Sequence, residues 1–303
     1  MAEASLQRKS PMALAMQEDL APAEGFWTRP WRRFRQHRMA LAGSLILVVF
    51  ALGAILAPQL TSYEPNKQDL DNRLAAPSWE HPMGTDELGR DLLTRILHGG
   101  RISMLIGVLA MSVAVTVGTL FGAIAGYYGG RIDSALMRFT DVAISFPSLF
   151  LLILLAAYFG SSVPTIVLVI GLLSWMRVAR LVRASFMSLK AQQFVEAARC
   201  CGVGARRIII YHLLPNAMGP IIVAASLGVA GAILTESALS YLGLGIQPPT
   251  ATWGSMLRNA QDQMAIAPWT AIFPGLMIFL TVIAINYVGD GLRDALDPRQ
   301  LER

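Results

Sequence analysis

The chain has 303 residues, of which 54% are apolar and 15% charged, with a formal net charge of +5 and a mean hydropathy of +0.50. Soluble domains carry about 25% charged residues, so this composition excludes an ordinary soluble enzyme or binding module and indicates an integral membrane protein. The basic excess is explained by arginines beside anionic lipid and gives no support for nucleic-acid binding.

Residues 1–25 are polar, with Pro and Ala, and are expected to be loosely attached. Trp27, Trp31 and Phe34 then recur at helical spacing among Arg29, Arg32, Arg33, Arg35 and Arg38, with Pro30 suited to a first turn. This pattern predicts an amphipathic helix on the inner membrane surface, within a cytoplasmic tail over 1–38.

The first apolar run is Met39–Ala57, long enough to span a bilayer and too long for a cleaved leader, so it reads as a signal anchor. An external loop over 58–101 follows. In it Thr85 or Asp86 is placed to cap a helix whose apolar face is Leu88, Leu92, Leu93 and Ile96. Asp86 with Arg90, and Asp91 with Arg95, are acid-before-base pairs at i, i+4, as on a solvated interfacial helix.

Five more runs lie in a core over 102–288: Ile102–Gly126, Val142–Phe159, Val163–Met176, Ala217–Thr235 and Ala271–Val288. The third and fourth spans are close enough to form a tight hairpin. Gly118, Gly122 and Gly126, and likewise Ala224, Gly228 and Ala232, put small residues on one helix face, a device for close packing within one chain or between subunits. The connection over 236–270, with Gly243, Gly245, Pro248 and Pro249, is too apolar for a free connector. Its backbone is expected to be covered by protein in the outer leaflet.

Between the fourth and fifth spans runs a polar segment, Gln192 to Gly204 and on to Leu214-Pro215. It reads as a helix from Gln192 to Cys201, stopped by Gly202 and Gly204, and a second helix from Ala205 to Leu213. Phe194, Ala197, Ala198 and Cys201 fall at i, i+3, i+4 and i+7 and share one small apolar face, bordered by Glu196 and Arg199. A knob of this kind suits another protein's groove or a packing site on its own domain.

Glu196-Ala197-Ala198, three residues, Gly202, then Leu214-Pro215 resembles the EAA loop of permease subunits in bacterial binding-protein-dependent ABC importers. His212 departs from the apolar residue usual there. Gly84–Ser103, the Leu242-Gly-Leu-Gly-x-Gln-Pro-Pro stretch with Trp253-Gly254, and the end from Gly289 to Pro298 are similar to the C-type permease of the peptide/nickel group.

The resemblance implies a type I importer permease fold with six transmembrane helices, all α, and a cytoplasmic coupling helix within 177–214. The implied coupling residues are Phe194, Glu196, Ala197, Ala198, Arg199, Gly202, Val203 and Gly204. The implied partners are a B-type permease as heterodimer, two ATPase subunits carrying ATP and Mg, and a soluble binding protein outside. Peptides, glutathione or nickel chelates are the substrates of the group. Polar side chains that can face a translocation path are Ser112, Thr116, Ser145, Ser226 and Asn286.

With both termini inside the cytoplasmic (inner) membrane, including a tail over 289–303, the inner segments hold 19 of the 25 Lys and Arg and the external loops hold 6. That bias follows the positive-inside rule. Lys9, Lys67 and Lys190 lack the Gly-rich context of a P-loop, so the chain itself is not read as an ATPase. An ion-coupled secondary transporter needs ionisable groups at mid-membrane. Asp141, Glu236 and Asp290 instead stand at or just past span ends. No metal-ligand spacing appears among the four His and two Cys, and no nucleophile–base pair supports a membrane enzyme.

Overall fold

A computed structural model describes residues 28–296, so the expected tail over 1–25, Trp27 and the end of the 289–303 segment lie outside the described residues. In chain order the helices are α1 Thr28–Gln36, α2 Arg38–Ile55, α3 Ala57–Leu60, α4 Leu92–Tyr128, α5 Gly130–Ser145, α6 Ser148–Phe159 and α7 Val163–Lys190. There follow α8 Gln193–Cys200, α9 Ala205–Arg207, α10 Leu214–Tyr241, α11 Trp253–Ala260 and α12 Trp269–Leu296.

Among the described residues five helices are long and apolar enough to cross a membrane: α2, α4, α7, the rod running from α9 through α10, and α12. The pair α5–α6, bent by 80°, makes a sixth when counted as one span. The expected straight helix over Val142–Phe159 is therefore broken. Pro147 has no N–H and forces the residue before it out of helical geometry, so Phe146 is extended at φ −77°, ψ 131°. Gly160, at φ +82°, then turns the chain from α6 into α7, closing the expected hairpin.

α4 has 37 residues, about 55 Å at 1.5 Å per residue, against a hydrocarbon core of about 30 Å. It is therefore several turns longer than a straight crossing requires. The separate helix expected from Thr85 or Asp86 does not form. Gly84 and Gly89 have φ of +80° and +72°, and Thr85 bridges to Asp91 in a tight loop. Asp91 is the true cap, its carboxylate accepting the Thr94 N–H at 2.8 Å.

Of the two charge pairs expected in that loop, one forms and the other does not. Asp86 takes Arg90 at 2.6 Å and Arg95 at 3.3 Å, while Asp91 takes His81 at 2.9 Å in place of Arg95. Asp86, Arg90, Asp91 and Arg95 are all buried, so the solvated helix of the sequence reading is replaced by a folded cap. α11 and α12 close over it: Asn259 donates to Glu87 at 3.1 Å, and the Trp269 indole to the Thr85 carbonyl at 3.4 Å.

The glycines of α4 pack within the chain. A Cβ on Gly118 would stand 2.6 Å from the Trp175 carbonyl, and one on Gly126 2.7 Å from Phe186 Cβ; Gly122 meets the Ala179 carbonyl closer still. Gly171 of α7 reciprocates against Ala110 and Val113 of α4. The two helices thus touch backbone to backbone, which side chains would prevent. Gly228 of α10 receives Met111 of α4 in the same way.

The connection after α10 is covered only in part: Ile246 and residues 251–254 are buried, whereas residues 247–250 are exposed. Its helix α11 starts with a Thr252/Ser255 capping box. Trp253 is 1% exposed and donates its indole N–H to the Ile96 carbonyl at 3.0 Å. Beneath it lies Glu236, fully buried, accepting from Ser240 at 2.7 Å and Ser103 at 3.2 Å. At the other end of the bundle α1 does more than lie on a surface. Phe34 is buried against Ala40, Leu292 and Ala295, although Trp31 stays exposed.

Candidate coupling surface

α8 ends in a Schellman motif. Gly202 N–H donates to the Arg199 carbonyl at 2.9 Å and Val203 N–H to the Ala198 carbonyl at 3.0 Å, with Gly202 at φ +76°. The positive φ is the reason for glycine there, since nothing lies within 4 Å of a Cβ placed on it. Gly204 follows at φ −67° and starts α9.

The second helix differs from the reading that ended it at Leu213. Ile208–Leu213 is a π-helical stretch that runs straight into α10. The Leu214 N–H reaches back to the Ile209 carbonyl, five residues away. Widening the turn there makes room for Pro215, whose ring would otherwise collide with the carbonyl four residues earlier.

One residue missed from the sequence anchors α8. Val195 is 0% exposed and packs with Tyr127, Phe186, Ile208 and Leu213 in the largest apolar cluster. Ala198 and Val203 are half-buried on the same cluster, so they belong to the inner side of the knob. Phe194 is 41% exposed, and Glu196, Ala197, Arg199, Gly202 and Gly204 are exposed. The expected apolar face is thereby divided: Ala198 turns toward its own bundle, and Phe194 and Ala197 with Cys201 turn outward.

Two cations meet at the end of α4, one from α7 and one from this knob. Lys190 Nζ lies 5.6 Å from the Tyr127 ring and donates to the Tyr127 carbonyl. The Arg199 guanidinium lies 5.7 Å from the same ring.

The five polar residues named for a path do not form one cluster. Ser112 and Thr116 are exposed on α4, Ser145 is exposed at the end of α5, and Ser226 and Asn286 are half-buried on α10 and α12. Each of the four hydroxyls donates to the carbonyl four residues back on its own helix, at 2.8 to 2.9 Å. Ser226 faces Gly289 of α12, one turn from Asn286, so those two sit at a helix contact. Among the described residues no group of three or more His, Cys, Asp or Glu is arranged to hold a metal.

A family model described as "Binding-protein-dependent transport system inner membrane component" matches residues 118–302, more than half of the chain. The chain belongs to this family. A second model, described as "N-terminal TM domain of oligopeptide transport permease C", matches residues 25–77. The oligopeptide transport system permease protein OppC of Haemophilus influenzae is 45% identical over 275 residues, 90% of this chain and 88% of the relative. The dipeptide transport system permease protein DppC of Alkalihalophilus pseudofirmus is 43% identical over 282 residues, 93% of each. The glutathione transport system permease protein GsiD of Escherichia coli is 42% identical over 274 residues, 90% of each.

These relatives are permeases over nearly their whole length, and the resemblance to C-type permeases drawn from the motifs is borne out. The permease is accordingly a multi-pass membrane subunit of an ABC importer and not an enzyme. α8 lies inside the matched region, between the apolar rods α7 and α9–α10.

Proposed function

We propose that the permease forms half of a translocation path for peptides or related small solutes, and that α8 is the element through which ATPase subunits drive it. The observation that carries this reading is α8 itself, a short helix pinned by Val195 and ended by Gly202, with Phe194, Glu196, Ala197 and Arg199 left uncovered. A rigidly seated knob with a small outward face is built to enter a groove. The peptide class is supported by the relatives, two of which are named for oligopeptides and dipeptides and one for glutathione.

On this reading the other half of the path is a B-type permease, ATP and Mg are held by two ATPase subunits, and a soluble binding protein delivers substrate from outside. The concentration of 19 of 25 basic residues on one side supports a cytoplasmic location for both termini and α8. Closing of the ATPases pulls on α8. Because α8 shares a core with α4, α7 and the start of the α9–α10 rod, the pull reaches three spans at once. Ser112, Thr116 and Ser145, exposed on this chain, are the polar residues available to line the path, with Ser226 and Asn286 at its back.

The test is uptake into proteoliposomes holding this chain, its partner permease and both ATPases. Labelled di- and oligopeptides should accumulate only with ATP inside the nucleotide-accessible compartment and binding protein opposite. Accumulation by this chain alone, driven by an ion gradient, would overturn the reading.

A further inference from the structure

An apolar groove opens between the last turns of α4 and the first turns of α5, at the end of the bundle that carries α8. Its walls are Leu120, Phe121 and Ile124 of α4 and Ile132, Ala135 and Leu136 of α5. Leu120 is 58% exposed and Ile132 46%, and Phe139, at 56%, continues the stripe one turn further.

The charges of α5 are sorted about this groove. Its two carboxylates are both turned to α7: Asp133 holds Arg183 in a two-point contact, with Nη2–Oδ2 at 2.6 Å, and Asp141 holds Arg180 at 2.6 Å. Its two cations, Arg131 and Arg138, are exposed and have no ion-pair or hydrogen-bond partner among the described residues. On a helix Arg131, Ala135 and Arg138 stand at i, i+4 and i+7, so both arginines share the edge of α5 on which Ala135 enters the groove wall. They are spaced about 10 Å apart along the axis. Leu120 and Ile124 lie one to two turns before the end of α4, so the apolar wall starts just below the level of Arg131.

Free cations at the surface with an uncovered apolar slot beneath match the two ends of one molecule, a lipid anion. We propose that this groove is a binding site for an anionic glycerophospholipid of the leaflet on the α8 side. One acyl chain lies along Leu120, Ile124, Ile132 and Leu136, and the phosphate is held between Arg131 and Arg138. A protein occupant would have to bring both an apolar ridge and an acidic group at the same spacing, which lipid supplies without any partner.

The experiment uses the full chain in lipid nanodiscs, probed with phosphatidylglycerol or phosphatidylcholine carrying the same photoreactive acyl chain. Adducts on the peptide spanning residues 118–138 should favour phosphatidylglycerol by about fivefold or more, the effect of roughly one surface arginine. Arg131→Gln with Arg138→Gln should bring that ratio to near unity without lowering the phosphatidylcholine signal. Ala135→Trp, at an exposed position, should reduce adducts from both lipids. Equal labelling by the two lipids in the unaltered protein would overturn the proposal. So would disulfide trapping of Ile132→Cys to another subunit, which would make the groove a protein interface.

Discussion

Arg199, on the short helix α8, lies 5.7 Å over the ring of Tyr127 at the end of α4, the two residues being held on elements that no turn connects. With Lys190 at 5.6 Å from the same ring, Tyr127 receives cations from both the end of α7 and α8. A cation over an aromatic face contributes about 0.5–1 kcal/mol at a partly exposed site. That is small against a whole bundle and large for the seating of an eight-residue helix. Tyr127→Phe should retain coupling of ATP hydrolysis to uptake, because the ring face remains. Tyr127→Leu should lower the ratio of solute imported to ATP hydrolysed several-fold, read in reconstituted vesicles, with the chain still inserted.

The α4–α7 seam sets a second expectation. A Cβ at Gly122 meets the Ala179 carbonyl and lies 2.7 Å from Val182 Cβ, whereas Gly231, inside α10, has nothing within 4 Å. Overpacking of this kind costs about 1–3 kcal/mol, and an open helical glycine replaced by alanine gains about 0.5–1 kcal/mol. Gly122→Val should therefore lower the melting temperature in detergent, and Gly231→Ala should hold or raise it. Equal behaviour of the two variants would mean the seam is not close-packed.

Glu236 supports the cap on the opposite end. It accepts from Ser103 of α4 and Ser240 of α10, and Ser103 in turn accepts the Trp253 N–H at 3.2 Å. Removing the carboxyl strands these buried hydroxyls, at about 1–3 kcal/mol. Hydrogen exchange over residues 242–260 should quicken markedly in Glu236→Ala and less in Glu236→Gln, which keeps one acceptor oxygen. Unchanged protection in Glu236→Ala would refute this role.

Much of this architecture was readable because bilayer physics leaves few choices. Five of the six apolar runs reappear as single long helices, and the close packing of the α4 glycines and the turn at Gly202 reappear with them. What was not readable depends on neighbours distant in sequence. Asp86 keeps its i, i+4 partner Arg90 but Asp91 takes His81 and not Arg95, because Gly84 and Gly89 at positive φ and the cover from α11 and α12 fold the segment into a buried loop. Phe146-Pro147 bends the third span because an apolar run does not reveal whether a proline will be kinked or accommodated. Pro215 was accommodated, by a π turn. On α8 the stripes Phe194–Ala197–Ala198–Cys201 and Val195–Ala198 are equally helical, and only the core around Phe186 and Ile208 decides that Val195 goes inside.

Orientation rests on the basic residues and is checked by thiol labelling. With Cys200 and Cys201, both exposed, replaced by Ser, a cysteine at Lys67 should react with an impermeant reagent from outside the cell. One at Arg206, beside α8, should react only after the membrane is opened. Reaction at Arg206 from outside would invert the topology.

Co-purification of the ATPase subunits with Ala197→Trp, measured together with uptake, tests the account most directly. Ala197 is exposed on the outward side of α8, whereas Ala198 is half-buried against the bundle, so bulk at 197 blocks a partner and leaves the fold intact. The variant chain should insert and pair with its partner permease as before, while the recovery of ATPase subunits and the rate of uptake both collapse. Gly202→Val, strained by about 1–2 kcal/mol at its positive φ, should fall the same way by misdirecting the helix end. Wild-type recovery and wild-type uptake in Ala197→Trp would contradict the claim that α8 is where ATP hydrolysis enters this permease.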